Sequence, residues 1–232
     1  IIQNLPGAVI KDVWLNTPQV ILIYLFIMIA TAWLLSRKIL FLNTSLIIAI
    51  CFVLSDLWIE HQKNTQKEFL VYNIRNRAIY NYIDPVGNFI IYRNKKELSN
   101  IVDRYIKGYW LQTHLKTCRY INLNHVRQQQ KPPLMIYENF IGFPGLKIGC
   151  IGQNTRINHL KTQNKLTLDY LILSNNAEIT IDKLVHLFDF KKVIIDPTNS
   201  FYHRRRWIAH MEKADIAYHS VPEKGAFHVI FD

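Results

Sequence analysis

The stretch that decides the fold is a pair of apolar runs, VILIYLFIMIATAWLL at 20–35 and ILFLNTSLIIAICFVLSDLWI at 39–59. At about 1.5 Å per residue, the second run is roughly 31 Å long as a helix, enough to cross the hydrocarbon core of a bilayer. The intervening Ser36-Arg37-Lys38 is long enough only for a tight turn. The pattern predicts a transmembrane hairpin, with helices at about 18–36 and 39–59, inside a membrane domain of residues 1–59.

Residues 60–232 mix polar and apolar side chains, as a water-soluble domain with one core does. Of the 28 Lys and Arg residues only Lys11, Arg37 and Lys38 precede residue 60, and the whole chain has a formal net charge of +11. This balance suits a polyanionic partner, either nucleic acid or an anionic lipid surface. The alternative is that the charge only keeps the domain soluble.

The flanking charges of the hairpin favour opposite orientations. Arg37 and Lys38 in the turn place it in the cytoplasm, whereas Lys63, Lys67 and Arg75 place the start of the soluble domain there. Long translocated domains largely escape the charge rule, so we expect the soluble domain on the extracytoplasmic side of the membrane. The chain begins without Met, and we expect it to be part of a longer, multi-pass protein.

The soluble domain alternates between strand and helix patterns, which predicts an α/β domain. A loop is expected at 124–133, where glutamine and proline are concentrated. Strands are expected at 69–74, 78–83, 89–92, 119–123, 134–137, 146–151, 168–173, 192–196, 216–221 and 226–231, and helices at 97–114, 179–188 and from Asn199 or Ser200 to about 214.

The last third carries a family resemblance. LDYLILS at 168–174, VIID at 193–196, NSFYH at 199–203, AYH at 217–219 and KGAF at 224–227 follow one another in a known order. They resemble the metallo-β-lactamase-like C-terminal domain of the ComEC family, the membrane channels of natural DNA uptake, most closely in Bacteroidetes-type versions. LPGAVI at 5–10 and the hairpin look like the end of that family's membrane competence domain, which implies a place in a bacterial inner membrane.

The departures from the family pattern predict that the metal centre of the fold is missing here. A metallo-β-lactamase-fold hydrolase needs a run such as H-x-H-x-D-H, because two metal ions must lie about 3.5–4 Å apart. The nine histidines contain no such run, and Ser174-Asn175-Asn176 stands where the active relatives have a histidine pair. Only His203 matches a family histidine. We therefore expect a degenerate domain with no cofactor and no enzymatic activity.

Five basic residues are candidates for nucleic-acid binding. Arg204, Arg205 and Arg206 are expected in the first turn of a helix, where guanidinium groups and main-chain N–H groups together suit phosphate. Lys191 and Lys192 form a weaker basic pair. The alternative is that these side chains extend into solvent or pair with nearby acids.

The sequence leaves three hypotheses. The chain is the C-terminal part of a channel for single-stranded DNA, a membrane-tethered metal-dependent nuclease, or a purely structural domain that stabilises the channel. The expected partners are single-stranded DNA, membrane lipid, the remaining channel helices of the same protein and other uptake proteins that the sequence does not identify. Whether Cys118 and Cys150 form a disulfide also stays open.

Overall fold

The computed structural model describes residues 15–63, 66–85, 87–94, 97–112, 118–124, 128–131, 134–153, 155 and 165–231. The chain divides into two compact units, one of residues 1–65 and 99–116 and one of residues 66–98 and 117–232. Two long apolar helices are thus followed by a mixed α/β domain that contains two sheets.

The apolar runs form the helices α1 (Thr17–Ser36) and α2 (Ile39–Lys63). Both are long and apolar enough to cross a membrane. Arg37 ends α1 in the left-handed conformation, with φ 54°, and so reverses the chain. Gln19 Nε2 donates to Asp56 Oδ1 at 3.3 Å and joins the two helices. The start of α1 and the turn match the prediction, but α2 continues past residue 59 because the polar residues that follow it also favour a helix.

Helical structure within 98–112 consists of α3 (Leu98–Ile101), a π-helical turn (Val102–Ile106) and α4 (Lys107–Gln112). The predicted helix at 97–114 is therefore present from residue 98 to residue 112, with an interruption, whereas Glu97 lies in a turn. Its last two residues lie outside the described part of the chain.

The sheets contain twelve described strands. They are β1 (Lys67–Val71), β2 (Ile79–Asp84), β3 (Gly87–Tyr92), β4 (Cys118–Asn122), β5 (Gln128–Lys131), β6 (Leu134–Tyr137), β7 (Phe140–Phe143), β8 (Leu146–Ile151), β9 (Leu166–Leu173), β10 (Phe188–Ile195), β11 (Tyr218–Ser220) and β12 (Phe227–Phe231). The helices α5 (Ile181–Leu187), α6 (Phe201–Lys213) and α7 (Val221–Lys224) connect the last four.

One sheet has the order β12-β1-β2-β3-β4 and the other the order β11-β10-β9-β8-β7-β6-β5. In the seven-stranded sheet, β8 to β11 run parallel and β5 to β8 run antiparallel. The parallel half follows from the strand–helix alternation of the last third, since parallel neighbours require a crossover connection. The first strand of the domain pairs with the last, Lys67 opposite Phe231.

Apolar side chains from both sheets share one buried cluster, so the sheets pack face to face. Tyr82 of β2 stacks on Phe143 of β7 with ring centroids 3.6 Å apart, a direct contact between the sheets. A second cluster lies on the opposite face of the seven-stranded sheet, where Leu184 of α5 and Trp207 and Met211 of α6 cover the β9–β10 region.

Two predictions in the middle of the domain are wrong. The expected loop at 124–133 contains strand β5, whose Gln128–Lys131 pairs with β6 at the edge of the sheet. Strand β7 was not predicted, because Gly142 and Pro144 are residue types that are common in turns. Cys118 and Cys150 are free thiols.

Candidate functional site

The carboxyl ends of β9 and β10 lie side by side, with Leu173 opposite Ile195. Parallel neighbours bring the residues that follow each strand to the same edge of the sheet. Here Ser174, Asn175 and Asn176 follow β9, and Asp196 opens the turn after β10. This edge brings the buried polar residues Ser174, Asp196 and Asn199 together, and it is the candidate site.

Asp196 is the centre of the site and is fully buried. Its Oδ2 accepts a hydrogen bond from the Tyr80 hydroxyl at 2.8 Å. Its Oδ1 accepts from the Thr198 main-chain N–H at 3.0 Å, from the Thr198 hydroxyl and from Asn199 Nδ2 at 3.2 Å. Burial raises the pKa of Asp196 to about 6, although the hydrogen bonds from Thr198 and Tyr80 and the positive charge of Arg93 act in the opposite direction.

Hydrogen bonds donated by main-chain N–H groups join the turn after β9 to the turn after β10. Asn175 N–H donates to Thr198 Oγ1 at 2.6 Å, and Asn176 N–H donates to Asn199 Oδ1 at 2.9 Å. In return, Ser200 N–H donates to Asn176 Oδ1 at 2.7 Å. Asn175 and Asn176 both have positive φ, at 50° and 51°, a conformation that asparagine tolerates better than most residues. These polar groups are engaged with one another, so they hold the two turns together.

Arg93 provides the positive charge closest to the buried carboxyl. Its Nη2 donates to the Cys150 carbonyl oxygen at 3.4 Å, whereas its buried Nε has no hydrogen-bond partner among the described residues. Burial raises the pKa of the Cys150 thiol to about 12, and Arg93 opposes that rise. The thiol is therefore protonated at neutral pH and is not a ready nucleophile.

The predicted arginines separate into one structural and two exposed side chains. The helix α6 begins at Phe201 after the N-cap Ser200, so the arginines lie after the first residues of the helix and not at its start. Arg204 is only 17% exposed, donates to the Asn199 carbonyl oxygen at 2.8 Å and lies 3.8 Å from Glu223 Oε1. Arg205 and Arg206 are exposed. Their binding of nucleic acid stays a prediction.

The exposed arginines lie beside exposed aromatic rings. Phe201 and Tyr202 are 52% and 84% exposed, and the Arg205 guanidinium lies 5.0 Å from the centre of the Phe201 ring. Cationic groups next to open aromatic faces are typical of surfaces that stack bases and neutralise phosphates. Trp207, by contrast, is buried in the core.

The two predicted lysines have partners within the domain. Lys191 Nζ lies 2.7 Å from Asp169 Oδ1 on the neighbouring strand, and this hydrogen bond raises the pKa of the lysine. Lys192 Nζ lies 5.9 Å from the centre of the Phe227 ring. The structure does not bring either lysine into the group of polar side chains around Asp196, and nucleic-acid binding by them stays a prediction.

A family model, the ComEC C-terminal domain, matches residues 69–231, which is well over half of the chain. The chain belongs to the ComEC family. No curated protein and no solved structure matches it. The match confirms the resemblance seen in the sequence of the last third and extends it over β1 to β12, both sheets included.

In this ComEC domain, His203 forms local contacts. Its Nδ1 lies 3.0 Å from Ser200 Oγ, and its ring packs edge to face on Trp207 with centroids 5.8 Å apart. Within the described part of the chain, no three His, Cys, Asp or Glu residues come together in a way that could hold a metal ion.

Sequence reasoning missed the group around Asp196. Tyr80 and Asp196 are 116 positions apart, so no local pattern links them. One signal was available: an acidic residue directly follows the buried run Val193-Ile194-Ile195, in the turn Asp196-Pro-Thr-Asn. A carboxyl at the end of a buried parallel strand is a common position for a functional or structural site.

Proposed function

We propose that the chain is the C-terminal portion of an inner-membrane channel for the uptake of single-stranded DNA in natural transformation. Membership of the ComEC family over residues 69–231 carries this proposal. The two apolar helices ahead of the matched region support it, since they supply spans of a multi-pass membrane protein. The α/β domain lies on the extracytoplasmic side, and the remaining channel helices belong to the same longer protein.

The α/β domain is a degenerate metallo-β-lactamase-like domain without catalytic activity. Two face-to-face sheets with helices on an outer face support this fold type. The resemblance puts a histidine pair of the active relatives at the end of β9, where Asn175 and Asn176 stand here. Both asparagines are bound to the turn after β10, and Asp196 is held by Tyr80 and Thr198. These contacts support a structural use of the edge that holds metals in the active relatives.

The domain contacts the transported strand through the exposed basic and aromatic side chains in the first half of α6, away from Lys213 at its end. Arg205 and Arg206 neutralise phosphates, while Phe201 and Tyr202 offer ring faces to the bases. Arg204 supports this surface from below, because it ties the start of α6 to Asn199. Such a surface reads no base edges, so its binding is independent of sequence and sensitive to salt.

The test is the salt dependence of single-stranded DNA binding by the full chain in lipid nanodiscs. Replacing Arg205 and Arg206 with Gln removes two phosphate contacts, and the slope of log K against log salt should fall by up to about 0.7 per contact. The matched control replaces Lys183 and Lys213, two exposed helical lysines, with Gln and should leave the slope unchanged. Circular dichroism checks that both variants remain folded.

Other outcomes favour the alternatives. An unchanged affinity and slope in the arginine variant would remove this surface from the DNA path, and no binding at low salt would leave a structural domain that stabilises the channel. Two metal ions bound per chain, together with DNA cleavage that His203→Ala abolishes, would establish the nuclease instead.

A further inference from the structure

No helix among the described residues packs on the half of the seven-stranded sheet formed by β6, β7 and β8. The side chains of Met135, Gly142 and Lys147 form one cross-strand row on β6, β7 and β8, and Tyr137 and Phe140 begin the next. Their strand neighbours point into the core between the sheets. The helices α5 and α6 pack at the other end of this sheet, against β10 and β11. We call the surface of β6–β8 together with the start of β9 the open face.

The open face is unusually apolar for a surface. Met135, Tyr137 and Leu166 are 57%, 60% and 41% exposed. A groove runs between β7, β8 and β9, lined by Phe140, Gly142, Lys147, Lys165, Leu166 and Leu168 among others. Contiguous apolar side chains with a polar rim mark an interaction surface more often than plain solvent exposure.

The charges around the groove are mainly positive. The ammonium groups of Lys147 and Lys165 are exposed at its rim. Asp169 is already neutralised, because Lys191 Nζ lies 2.7 Å from its Oδ1 and the Lys147 N–H donates to its Oδ2 at 2.8 Å. Glu138, in the turn after Tyr137, is the acid nearest to the exposed rings along the chain. The face therefore combines an apolar surface with exposed lysines, the composition that suits an anionic interface.

We propose that the open face lies against an anionic bilayer surface, with Met135, Tyr137 and Leu166 at the level of the headgroups and Lys147 and Lys165 on their phosphates. The apolar helices α1 and α2 of the same chain keep a bilayer near the domain. Tyrosine is suited to this boundary because its ring is apolar and its hydroxyl stays hydrated. The contact is separate from any DNA binding by α6 and goes beyond the channel function.

The experiment uses the full chain reconstituted in vesicles. In a background where Cys51, Cys118 and Cys150 are replaced by Ala, a bimane label is attached at Tyr137→Cys or, as a reference, at the exposed Lys213→Cys of α6. The vesicles contain brominated acyl chains and either phosphatidylglycerol or phosphatidylcholine. Bromine should quench the label at position 137 at least twice as strongly as the label at 213, and only in phosphatidylglycerol.

A charge variant completes the design. With each lysine worth about fivefold in affinity for an anionic surface, Lys147→Gln with Lys165→Gln should reduce quenching at 137 to the reference level. The matched variant Lys183→Gln with Lys224→Gln should retain it. Equal quenching at both label positions, or equal quenching in both lipids, overturns the proposal. So does shielding at 137 that grows with the protein-to-lipid ratio and is insensitive to bromine, which would assign the face to a second copy of the chain.

Discussion

Asp196 should make the α/β domain less stable as the pH rises. The folded state raises the pKa of this carboxyl from 3.8 to about 6, so it binds the proton more tightly than the unfolded chain does. The stabilisation is fully present below the unfolded pKa and is lost as the pH rises through about 6. At 1.36 kcal/mol per pKa unit, the full effect is about 3 kcal/mol, of which about 2 kcal/mol is lost between pH 4 and pH 7.

The variant Asp196→Asn should remove this dependence. Its Oδ1 can still accept from Thr198 and Asn199, and its Nδ2 can donate to the Tyr80 oxygen. The Tyr80 hydroxyl then loses its acceptor, but that cost is the same at every pH and does not affect the pH dependence. The assay is urea unfolding of the detergent-solubilised chain at pH 4 to pH 7, with hydrogen exchange of the main-chain amides of 193–195 as the readout. The difference between the two proteins cancels the contributions of all other titrating groups.

The control separates proton linkage from hydrogen bonding. Asp196→Ala leaves the buried Tyr80 hydroxyl without its acceptor and should destabilise the domain by about 1–3 kcal/mol at every pH. If the wild-type protein and Asp196→Asn show the same change in stability between pH 4 and pH 7, the carboxyl does not titrate as proposed and the reasoning fails.

Two further predictions concern packing and topology. A Cβ at Gly149 would lie 2.9 Å from Leu168 Cδ1, so Gly149→Ala should lower the free energy of unfolding by about 1–3 kcal/mol in the same urea assay. The control Gly142→Ala, whose Cβ would lie 3.7 Å from Met135 Cβ, should lower it far less. Equal losses in the two variants would contradict the argument. Reporter enzymes fused ahead of α1 and after α2 should lie on the same side of the membrane, and opposite sides would exclude the hairpin.

Continuous apolar runs made most of the fold predictable. The hairpin could be predicted because a helix in a bilayer must be apolar on every side. The ends of β9 and β10, residues 171–173 and 193–195, could be predicted because a strand segment that is buried on both faces has apolar side chains at consecutive positions. The edge strand β5 could not be found in this way. Its Gln128-Gln129-Gln130-Lys131 pairs with a single neighbour, so no alternation of apolar and polar residues appears.

The candidate site was harder to predict than the fold. The sequence shows three consecutive arginines but not that Arg204 turns back onto the Asn199 carbonyl oxygen while Arg205 remains exposed. Likewise Tyr80 looks like one more aromatic residue of a strand until the two sheets place its hydroxyl on Asp196. Both facts depend on contacts between distant segments, which a local pattern does not encode.

The pairing of β1 with β12 has a consequence for biosynthesis. In the five-stranded sheet Lys67 pairs with Phe231, so β1 cannot complete its pairing until β12 has been synthesised. At 5–20 residues per second, the ribosome needs on the order of ten seconds or more to make the intervening chain. During that interval β1, which follows the two long apolar helices, has an edge without its partner strand. A nascent chain that stalls before β12 should therefore become a target for proteolysis.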